Sequence, residues 1–285
     1  ILSFFMQAPM QLIENFAFEY SKIARQSYGK IRSFGSLGYA IAGYFGGYLT
    51  HQFGLPIIFI VFSFTFLIPL LFVYHLPNIE TPHHLSQNES GLYKQLFSIK
   101  EYKSILILSF LMIGSTSSMS TFFGIYIQNY AGLDLKFLGL TILLSAGSEV
   151  PMMFVSDKII NRIGAYRVLM LASFFTFLRF VVYVFLPSKF WITLVSLTHG
   201  IGYGSGYTAL MHLIEKHIPT NIRSIAISFN ATFAIGFGTF VIISFVSFLL
   251  NAHNVFMLLA SFEAIAFVYA SLLYKKELDT LCPTH

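Results

Sequence analysis

Runs of roughly twenty consecutive apolar residues recur along this chain, and that recurrence restricts its fold more than any single motif does. A helix of that length spans a bilayer and satisfies all of its own backbone hydrogen bonds, which hydrocarbon demands of any spanning segment. The runs cover residues 1–19, 33–50, 55–76, 104–129, 136–156, 165–187, 190–213, 224–250 and 252–274. Only 10% of the 285 residues are charged and 56% are hydrophobic, so a water-facing surface has too little charge to cover it. The period-two alternation of an outer-membrane barrel is absent. The expected fold is all-α, a polytopic membrane bundle with nine transmembrane helices, the first of them incomplete.

The chain starts at Ile1 inside an apolar run, without the charged flank of a signal peptide, and is expected to be a fragment of a longer protein. Short Gly-, Pro-, Asn- and His-containing joins at residues 51–54, 186–189, 218–221 and 251–254 predict antiparallel neighbours. Lysine and arginine fall unevenly between alternate loops. Lys22, Arg25, Lys30, Lys94, Lys100, Lys103, Lys158, Arg162, Arg167, Lys216, Arg223, Lys275 and Lys276 share one side, against Lys136 and Lys189 on the other. The positive-inside bias places the first group and the C-terminus in the cytoplasm of a multi-pass cell-membrane protein.

Residues 77–103 form the longest polar stretch and are expected to be a cytoplasmic linker. That divides the chain into residues 1–76, the linker, a six-helix bundle at 104–274 and a cytoplasmic tail at 275–285. If both bundles have six helices, about three precede the first residue. The single cysteine, Cys282, excludes an intramolecular disulfide and a cysteine metal cluster. His83–His84 reads as solvated linker, and no helix carries histidines at ligand spacing. No phosphate-cradling or dinucleotide-binding glycine motif occurs, and no clustered basic surface for nucleic acid. No cofactor and no metal are expected, and the partners are lipid, a small solute and protons, with the protein a monomer.

Charged side chains within apolar runs are costly in lipid and face a partner or a watery cavity. Glu14 and Arg32 lie on two successive segments and are expected to pair. Glu149 and Glu263 interrupt later runs, and Arg179 stands mid-run in Phe174-Phe-Thr-Phe-Leu-Arg-Phe-Val. A membrane carboxylate beside an arginine can hold and release a proton; the same pair can also be a structural lock. His199 lies in Leu197-Thr-His-Gly-Ile-Gly-Tyr-Gly-Ser-Gly-Tyr207, where imidazole suits a proton relay or a substrate contact and the glycines permit close packing or a broken helix. Gly35, Gly38, Gly43, Gly46 and Gly47 recur at short intervals and predict one smooth packing face. Asp157, Arg162, Gly164 and Arg167 put an acid, a turn and bases at a helix junction, an arrangement that can latch two conformations.

The run from Asp157 to Arg167 resembles the signature loop of the major facilitator superfamily, in the form found in the C-terminal half. Glu14 together with Gly29-Lys-Ile-Arg32-Ser-Phe-Gly-Ser36-Leu-Gly38-Tyr39 resembles the fourth and fifth helices of the lactose-permease-like oligosaccharide:proton symporter group, and Arg179 and His199 fall at that group's spacing. The resemblance implies a major facilitator fold, with helices four to twelve present. It implies that Glu14, Arg32, Tyr39 and His199 bind substrate, Tyr39 by stacking, and that Glu149, Arg179 and His199 couple protons, Arg179 tuning Glu149. The chain departs from the group at Gly114-Ser-Thr-Ser-Ser-Met-Ser120, where acids are usual, and at Ser196 and Gly202. The Leu-Thr-His-Gly-Ile-Gly-Tyr-Gly run is similar to the phenylpropionate and nucleoside permease branch.

The function expected is proton-coupled symport of a small polar solute such as a sugar, with no enzymatic activity. A nucleoside or aromatic-acid permease, an exporter of the same fold, and a membrane receptor without transport are the alternatives, and a membrane enzyme stands behind them.

Overall fold

The computed structural model describes residues 12–14, 16–21, 23–73, 76, 89–246, 248 and 251–281, and no strand occurs among them. The N-terminal half of the first apolar run, residues 77–88 of the expected linker with His83 and His84, and Cys282 lie outside the described residues.

Residues 12–14, 16–21 and 23 are helical and are called α1. It is followed by α2 (Tyr28–Phe53), α3 (Ile57–Val73), α4 (Glu89–Ser98) and α5 (Lys100–Tyr130). After a turn come α6 (Leu135–Ile163), α7 (Ala165–Phe185), α8 (residues 189–217), α9 (Thr220–Val246) and α10 (Ala252–Leu281). Most of these helices outrun the apolar stretches that announce them, because hydropathy marks only the lipid-facing length. Backbone hydrogen bonding continues into the charged ends, where long basic side chains reach water.

Among the described residues, five helices, α5, α6, α7, α9 and most of α10, are long and apolar enough to cross a membrane, and Ile57–Pro69 is a shorter apolar helix. Glycines, serines and tyrosines dilute the apolar content of α2. Helix α8 is interrupted at Leu197–Thr198.

Part of the stretch read as linker is ordered helix. In α4, Leu92 and Leu96 are one turn apart and Leu96 is fully buried, while Phe97 packs edge-on against Phe229 at 5.1 Å. An amphipathic segment thus docks on the ends of α5 and α9, an i, i+4 signal that the polar composition of 77–103 obscures.

Two packed apolar clusters fill the body formed by α5–α10. One, at the end carrying the basic loops, includes Tyr102, Ile160, Leu169, Leu210, Ile214 and Ile222. The other includes Tyr126, Ile127, Phe180, Tyr183, Ile192 and Phe256. Helices α7 and α10 run antiparallel, with Phe174 against Phe267 and Phe180 against Phe256.

Helix α2 lies antiparallel along α6. A Cβ on Gly29 would meet the Met153 carbonyl at 2.6 Å, one on Gly43 would meet Ile142 at 2.2 Å, and one on Gly47 would meet the Gly139 Cα at 2.8 Å. The glycine stripe therefore divides: Gly43 and Gly47 make the close approach, Gly38 and Gly46 face open space, and Gly35 lies beneath the Arg32 guanidinium. Five glycines at short intervals do not form one face, since the helix turns about 100° per residue and only two of them point at α6.

Candidate functional site

The α2–α6 contact brings the polar residues of both regions to one cavity. Its volume is about 470 Å³, and its walls include Glu14, Arg32, Ser36, Tyr39, Thr116, Ser117, Ser120, Glu149, His199 and Tyr203. The four expected substrate-binding residues, Glu14, Arg32, Tyr39 and His199, all line it, as does Glu149.

On the α1–α2 side, Arg32 Nε stands 2.8 Å from Glu14 Oε1, each side chain about one-fifth exposed. The N–H does not point along that line, so the contact is an ion pair without hydrogen-bond geometry. Tyr28 donates its hydroxyl to the other carboxylate oxygen of Glu14. The Arg32 guanidinium lies over the ring of Tyr207 on α8, 5.9 Å from its centroid.

Glu149 and His199 meet on the α6–α8 side, with Oε1 and Nε2 3.0 Å apart. Arg179 contacts Nδ1 of the same imidazole and donates from Nε to the Tyr183 hydroxyl at 2.8 Å. Guanidinium can only donate, so Nδ1 is the acceptor and the proton sits on Nε2, directed at Glu149. Ser36 of α2 donates to the second oxygen of Glu149. Arg179, expected to tune Glu149, reaches it through a chain in which His199 stands between them. The imidazole has both nitrogens engaged and is the shorter bridge from α7 to α6.

The glycines beside His199 make this chain possible. Gly200 N–H donates to the Ser148 hydroxyl at 2.9 Å, and a Cβ on Gly200 would lie 2.1 Å from the Ser148 carbonyl oxygen. Any larger residue would push α8 off α6 and separate His199 from Glu149. Residues Gly200–Gly204 form a π-turn, a one-residue insertion of the kind that gathers at functional sites. Gly202, in turn, abuts Thr176 of α7.

Sequence reasoning missed several wall residues. His199, Tyr203 and Tyr207 form a ladder of stacked rings, 5.3 and 6.0 Å between successive centroids, linking the two charged groups. Their i, i+4, i+8 spacing was the available signal. Thr116, Ser117 and Ser120 supply hydroxyls where the resemblance led one to look for acids. Glu263 lies apart, fully buried on α10, accepting from Ser115 at 2.6 Å.

The four residues of the junction loop do not gather at one point. Asp157 accepts from Ser27, the residue preceding α2, and so ties α6 to α2. Gly164 takes a positive φ of 87° at the α6–α7 turn. Arg167 bonds the Tyr274 hydroxyl and lies over that ring at 4.7 Å. Arg162 is exposed. Among the described residues, no group of three or more His, Cys, Asp or Glu side chains is placed to hold a metal.

The chain is similar to known transporters. The maltose permease of Geobacillus stearothermophilus is 26% identical over 240 residues, 84% of this chain and 60% of that protein. The uncharacterized transporter YwbF of Bacillus subtilis (strain 168) is 25% identical over 236 residues, 82% of this chain and 58% of that protein. The chain thus spans somewhat under two-thirds of the length of these relatives. The crystal structure of the nucleoside transporter NupG (D323A mutant) superposes with a TM-score of 0.72 at 18% identity, covering 92% of this chain and 73% of that one, which shows the same fold. These matches are to transporters rather than enzymes and place the chain among multi-pass membrane proteins. Residues 1–258 match the model of the MFS_1 like family, and the chain belongs to that family.

Proposed function

We propose that this chain works in a proton-coupled secondary transporter that takes up a small, neutral, polyhydroxylated solute of the sugar class. The observation that carries this reading is the single cavity faced by two separately neutralised charged groups, Glu14 with Arg32 and Glu149–His199 with Arg179. In each group one carboxylate already balances one guanidinium. A charged solute would leave an ion uncompensated at low dielectric, whereas a neutral polyol exchanges hydrogen bonds with both groups. Tyr39 offers a ring to an apolar sugar face, and Thr116, Ser117 and Ser120 offer hydroxyls. The similarity to a maltose permease supports the same solute class.

Proton coupling follows from the imidazole. His199 Nδ1 can accept from Arg179 only while it is unprotonated; a proton there turns the acceptor into a donor and releases the guanidinium. Solute in the cavity and proton on the Glu149–His199 pair then favour the same conformation, so each raises the affinity for the other. Residues 1–76 belong to one, and residues 104–274 form the other, of two bodies that rock about the site, with the 77–103 stretch and the C-terminus in the cytoplasm and one copy forming the working unit. The lysine and arginine bias between loops supports that orientation.

Uptake of radiolabelled maltose into vesicles of the whole protein, under an imposed pH gradient, tests the reading. Accumulation driven by inward proton flow is the expected result. Solute leaving against proton entry would make the protein an exporter. Uptake of nucleosides with no sugar uptake would replace the solute class.

A further inference from the structure

Beyond Tyr39 the cavity opens into a second chamber of about 230 Å³, sharing Tyr39, Ser120 and His199 with the first. Pockets that take small organic ligands run from about 300 to 1,000 Å³, so the first chamber is already large enough for a ligand and the second adds half as much again. It is set against the first turns of α6, farther from the basic-loop end than Glu149.

Its walls are made for recognition rather than for packing. Ser145 is only 8% exposed and lines the chamber, and among the described residues its hydroxyl bonds to no protein group, so it is open to a partner in the chamber. A ligand hydroxyl bonded there gains about 0.5–1.5 kcal/mol net. Arg179, 3% exposed, also lines the chamber; its bonds to Tyr183 and His199 use Nε and Nη1 and leave Nη2 available. Phe123 is part of the same lining. Hydrogen-bonding groups together with an aromatic wall are the two kinds of surface a pyranose presents partners for.

We infer that the second chamber is a subsite for a second sugar ring, with Ser145 and Arg179 as its hydrogen-bonding residues and Tyr39 at the passage between rings. This rests on the sugar reading of the first chamber. It makes Ser145 a specificity-determining residue that separates two-ring from one-ring solutes. It also ties solute length to the proton relay, since the guanidinium that touches the second ring is the one that touches His199.

The test is equilibrium binding of radiolabelled glucose and maltose to the purified whole protein, for wild type, Ser145→Ala and Ser145→Leu. Wild type is expected to prefer maltose. Ser145→Leu, which fills the chamber, is expected to shift the maltose-to-glucose affinity ratio at least about tenfold toward glucose, and Ser145→Ala, which removes only the hydroxyl, about three- to tenfold. Thermal unfolding of each variant checks that it is folded, and should the leucine variant fail to fold, the alanine variant decides alone. An unchanged ratio, or equal loss of both sugars, overturns the subsite and makes the chamber a passage while leaving the sugar reading intact. Binding of neither sugar by wild type overturns both.

Discussion

In α3, Phe59, Phe64 and Leu71 are about two-thirds exposed, whereas in α7 Leu169, Phe180 and Tyr183 are fully buried. The two helices are equally rich in apolar residues, yet α7 sits inside a body of interlocking side chains and α3 turns its side chains outward. Residues 23–53 hold to the rest chiefly along one extended helix contact, α2 on α6, set with glycines and with polar pairs: Ser27 on Asp157, Ser36 on Glu149, and Arg32 over Tyr207 of α8. The binding cavity lies along this contact. Apolar packing offers a solute nothing to bind, whereas a close helix contact set with polar pairs makes a place where solute can compete with protein for the same hydrogen bonds.

Substitutions along and away from the seam sharpen that contrast. Gly47→Leu is expected to have the largest effect, because its new side chain meets Gly139 backbone; about 3 kcal/mol or more of stability should be lost, read as a lower unfolding temperature. The neighbouring Gly46→Leu, with open space around it, should leave that temperature unchanged. If both behave alike, the α2–α6 contact is not where the two parts meet. Leu96→Ala, within the dense body, should cost about 2–3 kcal/mol by the same measurement through the void it leaves under α4. Arg32→Ala should weaken sugar binding by roughly thirtyfold, about 2 kcal/mol, and should also lower the unfolding temperature because Glu14 loses its counter-ion; unaltered affinity would remove the Glu14–Arg32 pair from the site. Phe64→Ala, exposed on α3, should shift stability by less than about 0.5 kcal/mol.

The sequence announced the helices because hydrocarbon leaves a spanning segment little choice. It announced the charged site residues for a related reason: a charge amid apolar residues needs a partner, so Glu14, Arg32, Glu149, Arg179 and His199 stood out. Other features were illegible for physical causes. Helix α4 has only two turns of apolar spacing, too few to rise above a polar stretch. Ser145 and Thr141 look like any small residues on a helix until α5 and α7 are in place to form a wall opposite them. Which glycines pack depends on where the neighbouring helix lies, which composition does not record. The order Arg179–His199–Glu149 depends on the depth to which the π-turn at Gly200 lets α8 settle.

Gly47 and Gly139 meet backbone to backbone, with no knobs lodged in holes. Interlocked leucines resist rotation because each side chain must climb out of its socket before the next can enter. Two bare backbones present no such sockets. At that crossing no socket opposes a roll of one helix on the other, and what fixes the pair is the next turn, where Ile142 seats against Gly43 like a single tooth on an otherwise bare bearing.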